Sequence, residues 1–273
     1  MKSKCTLPRL VWYDLKVGAR QNRYRFLFAL LMLVFVSELS ILSMRQNMTQ
    51  VNFWNYCYQA FLGIIEYTKD RTSQFTLPIL VMLFQLILLF LVGSYPKQGM
   101  CGYGKAVFFE SGSKRIWWMS KYIWMVCNIL FYYAAFFLVL IVCTALEQSE
   151  GAIFSLQASE IFAMTGASAA KFLQNLLLLP LLTSFTMGAI QLLLSVFVKP
   201  VWGYAACIVI LIVSAYLTSP YLIGNYFMMA RNADMAGGPI HLQSGICINV
   251  LLCFVVWAAG AVKIKHYDLL SRS

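Results

Sequence analysis

Charge is scarce in this chain of 273 residues: Asp, Glu, Lys and Arg make up 11% of it, and histidine occurs twice. Soluble domains carry about 25% charged and about 45–50% apolar residues, whereas 61% of this sequence is apolar. So much apolar surface in so short a chain exceeds what one aqueous core can hide, since even a 300-residue globule buries only about 75% of its surface. A soluble enzyme and a disordered tail are both excluded, which leaves an all-α membrane protein. The eight cysteines form no C-x-x-C pair, so they indicate buried thiols in a reduced setting and neither a disulfide framework nor a zinc site.

The chemistry of catalysis is equally thin. His241 and His266 fall in different connections, expected on opposite sides of the membrane, so they cannot share a metal or a proton. Glu147 and Glu150 sit in E-Q-S-E at a helix end and are not paired ligands in mid-span. Gly99, Gly104 and Lys105 reproduce most of a phosphate-binding loop. Ala106, however, stands where a Ser or Thr hydroxyl would hold magnesium, and a membrane helix precedes it in place of a buried strand. A flexible basic loop is the expectation; the chain is no enzyme by itself and needs no cofactor or metal of its own.

A spanning helix needs about 20 mostly apolar residues to cover ~30 Å of hydrocarbon. Six stretches meet that need, at about 24–43, 75–93, 122–146, 172–198, 201–223 and 246–264. The first lacks the short apolar region and small-residue cleavage site of a signal peptide, so it is expected to be retained. Short connections make the whole of 1–273 one transmembrane domain. Residues 51–67 are aromatic-rich but too short to span, and are expected at the outer interface or dipping into it. Gly224, Gly237, Gly238 and Pro239 predict a broken or re-entrant turn over 224–245.

Cations set the orientation. Sixteen of the 21 Lys and Arg fall in the N-terminal segment to Arg25, the 94–121 loop, the turn at Lys199 and the tail, against five in the other connections. The positive-inside rule then places both termini and the 94–121 loop in the cytoplasm. A net charge of +11 thus reports orientation and contact with anionic headgroups, with nucleic acid not expected as a partner.

Polar residues within the spans include Glu38, Gln85, Asn128 and Gln191, with Ser and Thr near Pro180 and Thr218. A carboxylate in lipid is expensive, so Glu38 either faces a substrate path, pairs with Lys171 or Arg231, or snorkels to the outer headgroups. Gln85 and Gln191 are path candidates that can equally cement helix packing. Pro180 predicts a kink.

Two cytoplasmic stretches carry a further signal. Residues 1–23 mix Leu10, Val11, Tyr13, Leu15 and Val17 with Lys16, Arg20 and Arg23, a pattern for a helix along the inner interface with the Tyr13 ring inward. In the 94–121 loop, Ser113 can cap a helix starting at Lys114, followed by Trp117 and Trp118 at interface depth and Lys121 one turn on. Such an element can receive force from a soluble partner; it can equally be an ordinary basic loop with an aromatic belt.

The run Ser111, Gly112, Ser113, Lys114, Arg115, Trp117, Trp118, Ser120 and Lys121 resembles that of Gram-positive bacterial permease subunits of ABC-2 type transporters. The tail Lys263, Lys265, His266 before Asp268-Leu269-Leu270 is similar to their ending. Phe109 and Glu110 stand where that group has an aliphatic and a basic residue. The resemblance implies a six-span, type V exporter-like fold in a bacterial cell membrane. It also implies a separate ABC ATP-binding subunit, which would hold ATP and magnesium and dock on Lys105, Glu110, Ser113, Lys114, Arg115 and the amphipathic start. A second permease copy or sister permease would complete the path, with Glu38, Gln85 and Gln191 lining it and an amphipathic peptide, lipid-linked molecule or drug as cargo. The alternative is a membrane-embedded structural, sensory or immunity protein with no ATPase partner.

Overall fold

The structure is a computed structural model that describes residues 6–45, 52–65, 77–93, 95–98, 113–147, 153–157 and 159–267. Among these the chain is helical, with one isolated bridge between Asn232 and Ile240. The principal helices are α1 (Leu7–Gln21), α2 (Arg23–Arg45), α3 (Phe53–Ala60), α4 (Ile79–Val92), α5 (Tyr95–Gln98) and α6 (Lys114–Glu147). After α7 (Glu160–Thr165) come α8 (Ala169–Phe197), α9 (Pro200–Tyr216), α10 (Ala233–Ala236) and α11 (Leu242–Lys265). Four of these, α2, α6, α8 and α11, are long and apolar enough to cross a membrane, while α4 and α9 are apolar but shorter. At ~1.5 Å per residue the 14 residues of α4 reach about 21 Å and the 17 of α9 about 26 Å.

The long helices alternate in direction between two ends of a bundle. One end gathers α1, Tyr95, the first turns of α6, Phe197 and the end of α11, and there the Lys114 ammonium donates to the Tyr267 carbonyl at 2.7 Å. This end collects segments from all four cation-rich stretches, and we call it the basic end. The opposite end holds α3 and residues 153–157, 159–165 and 223–241. Leu27, Leu31, Phe35 and Leu42 on α2 and Leu251, Phe254 and Val262 on α11 are exposed, apolar helix faces of a kind that a water-soluble monomer rarely presents.

Some boundaries follow the sequence expectation and others differ. The helix expected to start at Lys114 does so, and it runs without a break into the span expected over 122–146, with Trp117 and Trp118 fully buried in its first turns. The two indoles therefore do not form a headgroup belt. The helix expected over 201–223 stops at Tyr216, since Pro220 biases the residue before it against helix and the carbonyls at the helix end turn to Arg231. The kink expected at Pro180 takes the form of a π turn over Gln174–Leu178. The proline lacks the N–H that would continue the regular ladder, and the extra residue relieves it. Over its described part the aromatic stretch 51–67 dips into the helix bundle, in keeping with the second of its two expected placements. Helix α3 enters the bundle, where Phe61 packs edge-on against Phe84 at 5.1 Å and Phe136 at 5.8 Å. Cys57 is fully buried there.

Asn52 starts α3 by accepting from the Trp54 and Asn55 amides, while its own amide donates to the Ser155 carbonyl at 2.9 Å. Trp54 Nε1 donates to the Phe154 carbonyl at 2.8 Å. The broken turn expected over 224–245 is present as two 3-10 turns, Ile223–Phe227 and Met229–Arg231, tucked beneath the residues after α3: Met229 and Ala230 amides donate to the Phe61 and Leu62 carbonyls, each at 2.9 Å. Arg231 is the keystone. Its guanidinium is 1% exposed and donates to the carbonyls of Ile64 at 3.0 Å and Ala215 at 2.7 Å, to those of Ser214 and Leu217, and to Asn225 Oδ1. A cation at the carbonyl end of α9 satisfies acceptors the helix leaves open and opposes its dipole.

Replacing Arg231 by Met orphans several buried carbonyls, each worth about 1–3 kcal/mol. Thermal unfolding in detergent should show a loss of at least ~3 kcal/mol, and Arg231→Lys should lie between the two, because a point ammonium cannot bridge α9 and Ile64 as a planar fork does. Wild-type melting of Arg231→Met would remove this role.

Candidate functional site

At the basic end, α1 presents Leu10, Asp14 and Gly18 inward, a spacing of four that puts all three on one face. The buried member at the centre is an aspartate, and Tyr13, expected inward, points outward at 41% exposure. A charged residue on the packed face survives only if its partners are provided. Here they come from α6 and α5: Lys121 Nζ lies 2.6 Å from Asp14 Oδ1, Ser120 Oγ donates to Oδ2 at 2.6 Å, and Tyr95 OH donates to Oδ1 at 3.0 Å. The ammonium also sits 4.6 Å from the Tyr95 ring centroid and 5.3 Å from that of Trp117, so both faces of the pair are compensated by hydrogen bonds and cation–π contacts. Burial, then the Asp14 carboxylate beside it, push the Tyr95 hydroxyl far above its ordinary range, which keeps it a donor. Gly18 completes the fit: a Cβ there would lie 2.5 Å from Trp124 Nε1.

The same collar takes in the end of α11. Lys114 Nζ reaches the Tyr267 carbonyl and, at 3.4 Å, that of Lys265. The Trp118 indole N–H donates to the Trp257 carbonyl at 3.0 Å, and its ring presses on Gly260, where any Cβ would collide. Trp118, Phe197 and Tyr267 form a ring chain with centroid spacings of 5.9 and 5.7 Å. Thus α1, α5, α6, α8 and α11 are fastened at one end by side chains from a single helix start.

Of the residues expected to receive a soluble subunit, Lys105 and Glu110 lie outside the described residues. Ser113 precedes α6, with its carbonyl accepting from the Trp117 amide at 3.2 Å. Lys114 is engaged with the tail and Arg115 is exposed. Of the path candidates, Gln85 and Gln191 meet on one seam and Glu38 does not join them. Gln191 Nε2 donates to the Leu89 carbonyl at 2.8 Å, one turn from Gln85. Gln85 Oε1 accepts from Ser184 Oγ at 3.1 Å, and Ser184 in turn bonds Tyr133 OH at 2.8 Å. Gln85 Nε2 and Gln191 Oε1 are buried without a hydrogen-bond partner among the described residues. Glu38 is exposed on α2, while Lys171 lies 3.4 Å from Asp234 and Arg231 is bound to carbonyls.

Sequence reasoning missed Asp14 and Asn249. Asn249 accepts from Thr186 Oγ1 at 2.8 Å and ties α11 to α8. The sign for Asp14 was available: it is the one acid in the cation-rich N-terminal segment. Among the described residues no three of His, Cys, Asp and Glu gather as a metal group. The arrangement is suited to transmitting displacement from α1 and the α6 start into the bundle. No family model matches the chain, and no curated protein matches it.

Asp14→Leu or Lys121→Met should each destabilise the protein by about 3–5 kcal/mol, since either leaves one buried charge uncompensated. Asp14→Leu combined with Lys121→Met should recover most of that loss, read as melting in detergent. Additive losses in the double variant would show that the two residues do not act as a pair.

Proposed function

We propose that the protein is the transmembrane permease subunit of an ATP-driven ABC-2 type exporter in a bacterial cell membrane. The observation that supports this most is the Asp14–Lys121 lock, which makes the amphipathic helix and the start of α6, the last part of the 94–121 segment, one mechanical unit. A separate ATP-binding subunit docks on that loop, and on α1, from the cytoplasm. Closure of its nucleotide-bound dimer pushes the collar, and the push passes into the bundle through α6. Nucleotide free energy then enters as a difference in affinity for two arrangements of the permease, the form any conformational coupling takes.

On this reading six helices span, with α4 and α9 completed by flanking residues and by local thinning of the bilayer, and the basic end faces the cytoplasm. The path runs between two permease copies, or this chain and a sister, and accepts an amphipathic peptide, lipid-linked molecule or drug. Gln85 and Gln191 add polarity to the α4–α8 seam. The chain itself performs no hydrolysis.

Isolation of the native complex under mild detergent should yield an ATP-binding subunit in fixed ratio; a chain that purifies alone sinks the reading and favours a structural, sensory or immunity protein. Lys114→Glu with Arg115→Glu should lower ATPase recovery and stimulated turnover by about tenfold, the equivalent of ~1.4 kcal/mol. Lys114→Gln serves as the control that loses the tail contact without reversing charge. For orientation, Met164→Cys should react with an impermeant maleimide in intact cells, and Arg20→Cys only after permeabilisation.

A further inference from the structure

A groove of about 450 Å³ opens on the flank of the basic end, between α6 and α11, with Leu7 of α1 at its edge. Its walls are preformed. The Trp118–Trp257 hydrogen bond and the seating of Trp118 on Gly260 hold the two helices together along its floor. Ala258 and Ala261 leave the space that larger side chains would fill. The lining is apolar except for Arg115, which stands in the first turn of α6, at the end of the groove nearest the basic rim. The neighbouring Lys114 amine is drawn to the Tyr267 and Lys265 carbonyls, and Arg115 remains exposed. The rest of this flank is hydrocarbon-facing in character: Leu251, Phe254, Val255 and Val262 of α11 are all exposed.

An apolar slot ending at a guanidinium matches one molecule that the surroundings supply in quantity. We infer that the α6–α11 groove is a binding site for an anionic glycerophospholipid of the leaflet at the basic end, with one acyl chain along Ala258 and Ala261 and the phosphate on Arg115. The chain supplies burial of methylenes, and the planar fork of Arg115 can engage two phosphate oxygens at once, which a lysine cannot. The surrounding basic collar favours a headgroup with net negative charge over a zwitterionic one. Such a lipid would rest on Trp118 and Trp257, against the same seam that fastens α11 to α6. This inference goes beyond the exporter reading and does not require an ATPase partner.

The test uses the purified full chain in phosphatidylcholine vesicles containing a small fraction of lipid with brominated acyl chains, which quench tryptophan fluorescence on contact. Brominated phosphatidylglycerol should quench several-fold more than brominated phosphatidylcholine at equal mole fraction. Arg115→Gln should bring the two tracers together. Trp257→Phe should remove most of the headgroup-dependent part, and Ala258→Leu with Ala261→Leu should lower quenching by both tracers without lowering the melting temperature. Equal quenching by the two tracers in the wild type, as when a second copy or a segment of the chain covers the groove, overturns the inference. So does a preference that survives Arg115→Gln.

Discussion

A carboxylate and an ammonium removed from water and set against each other hold the basic end of this molecule together. Asp14 and Lys121 are both almost wholly buried, a placement whose desolvation cost is offset only by close geometry and full hydrogen bonding. Ser120, Tyr95 and the Trp117 ring supply what remains. Because the arrangement tolerates little displacement of any member, it fixes α1 on α6 in one register. An apolar contact of the same area could slide, whereas this one has a single geometry in which all donors and acceptors are met.

The opposite end is fastened by different means. Arg231 gathers carbonyls from the end of α9 and from Ile64, so the fixing group is a cation opposed by backbone dipoles. Between the two ends lie aromatic rings packed edge to face around Phe61, Phe84 and Phe136 and short polar chains such as Tyr133–Ser184–Gln85. Fastened ends joined by packed rings and weak hydrogen bonds are compatible with the exporter proposal, which rests on the Asp14–Lys121 lock. In apolar surroundings the intervening hydrogen bonds are worth only about 0.6 kcal/mol apiece, small enough to exchange partners.

What could be read beforehand, and what could not, separates by the range of the interaction. Apolar runs located the helices, because burial in hydrocarbon depends on composition alone. Charge counting grouped the segments that meet at the basic end, since the bias in cations belongs to each connection separately. The helix start at Lys114 is legible in the sequence, but its burial and its continuity with the third span are not, because Trp117, Trp118 and Lys121 look like interface residues until their partners on α1 and α11 are known. Tyr13 was turned inward for a related reason: an aromatic ring beside an aspartate is the better guess for a buried face unless a lysine a hundred residues away is poised to neutralise the acid.

The amino-acid sequence by itself determined that this is a helical chain of membrane-protein composition, with little charge and a strongly basic set of connections. These properties follow from transfer free energies that each residue carries wherever it is placed. Only the tertiary structure decided that Asp14 is a buried keystone, that Arg231 closes a helix end, that Phe61 packs on Phe84 and Phe136 and that an apolar groove opens between α6 and α11 beside Arg115. Each of those depends on which groups distant in the chain become neighbours, and a buried charge is tolerable or ruinous according to neighbours that a local pattern does not contain.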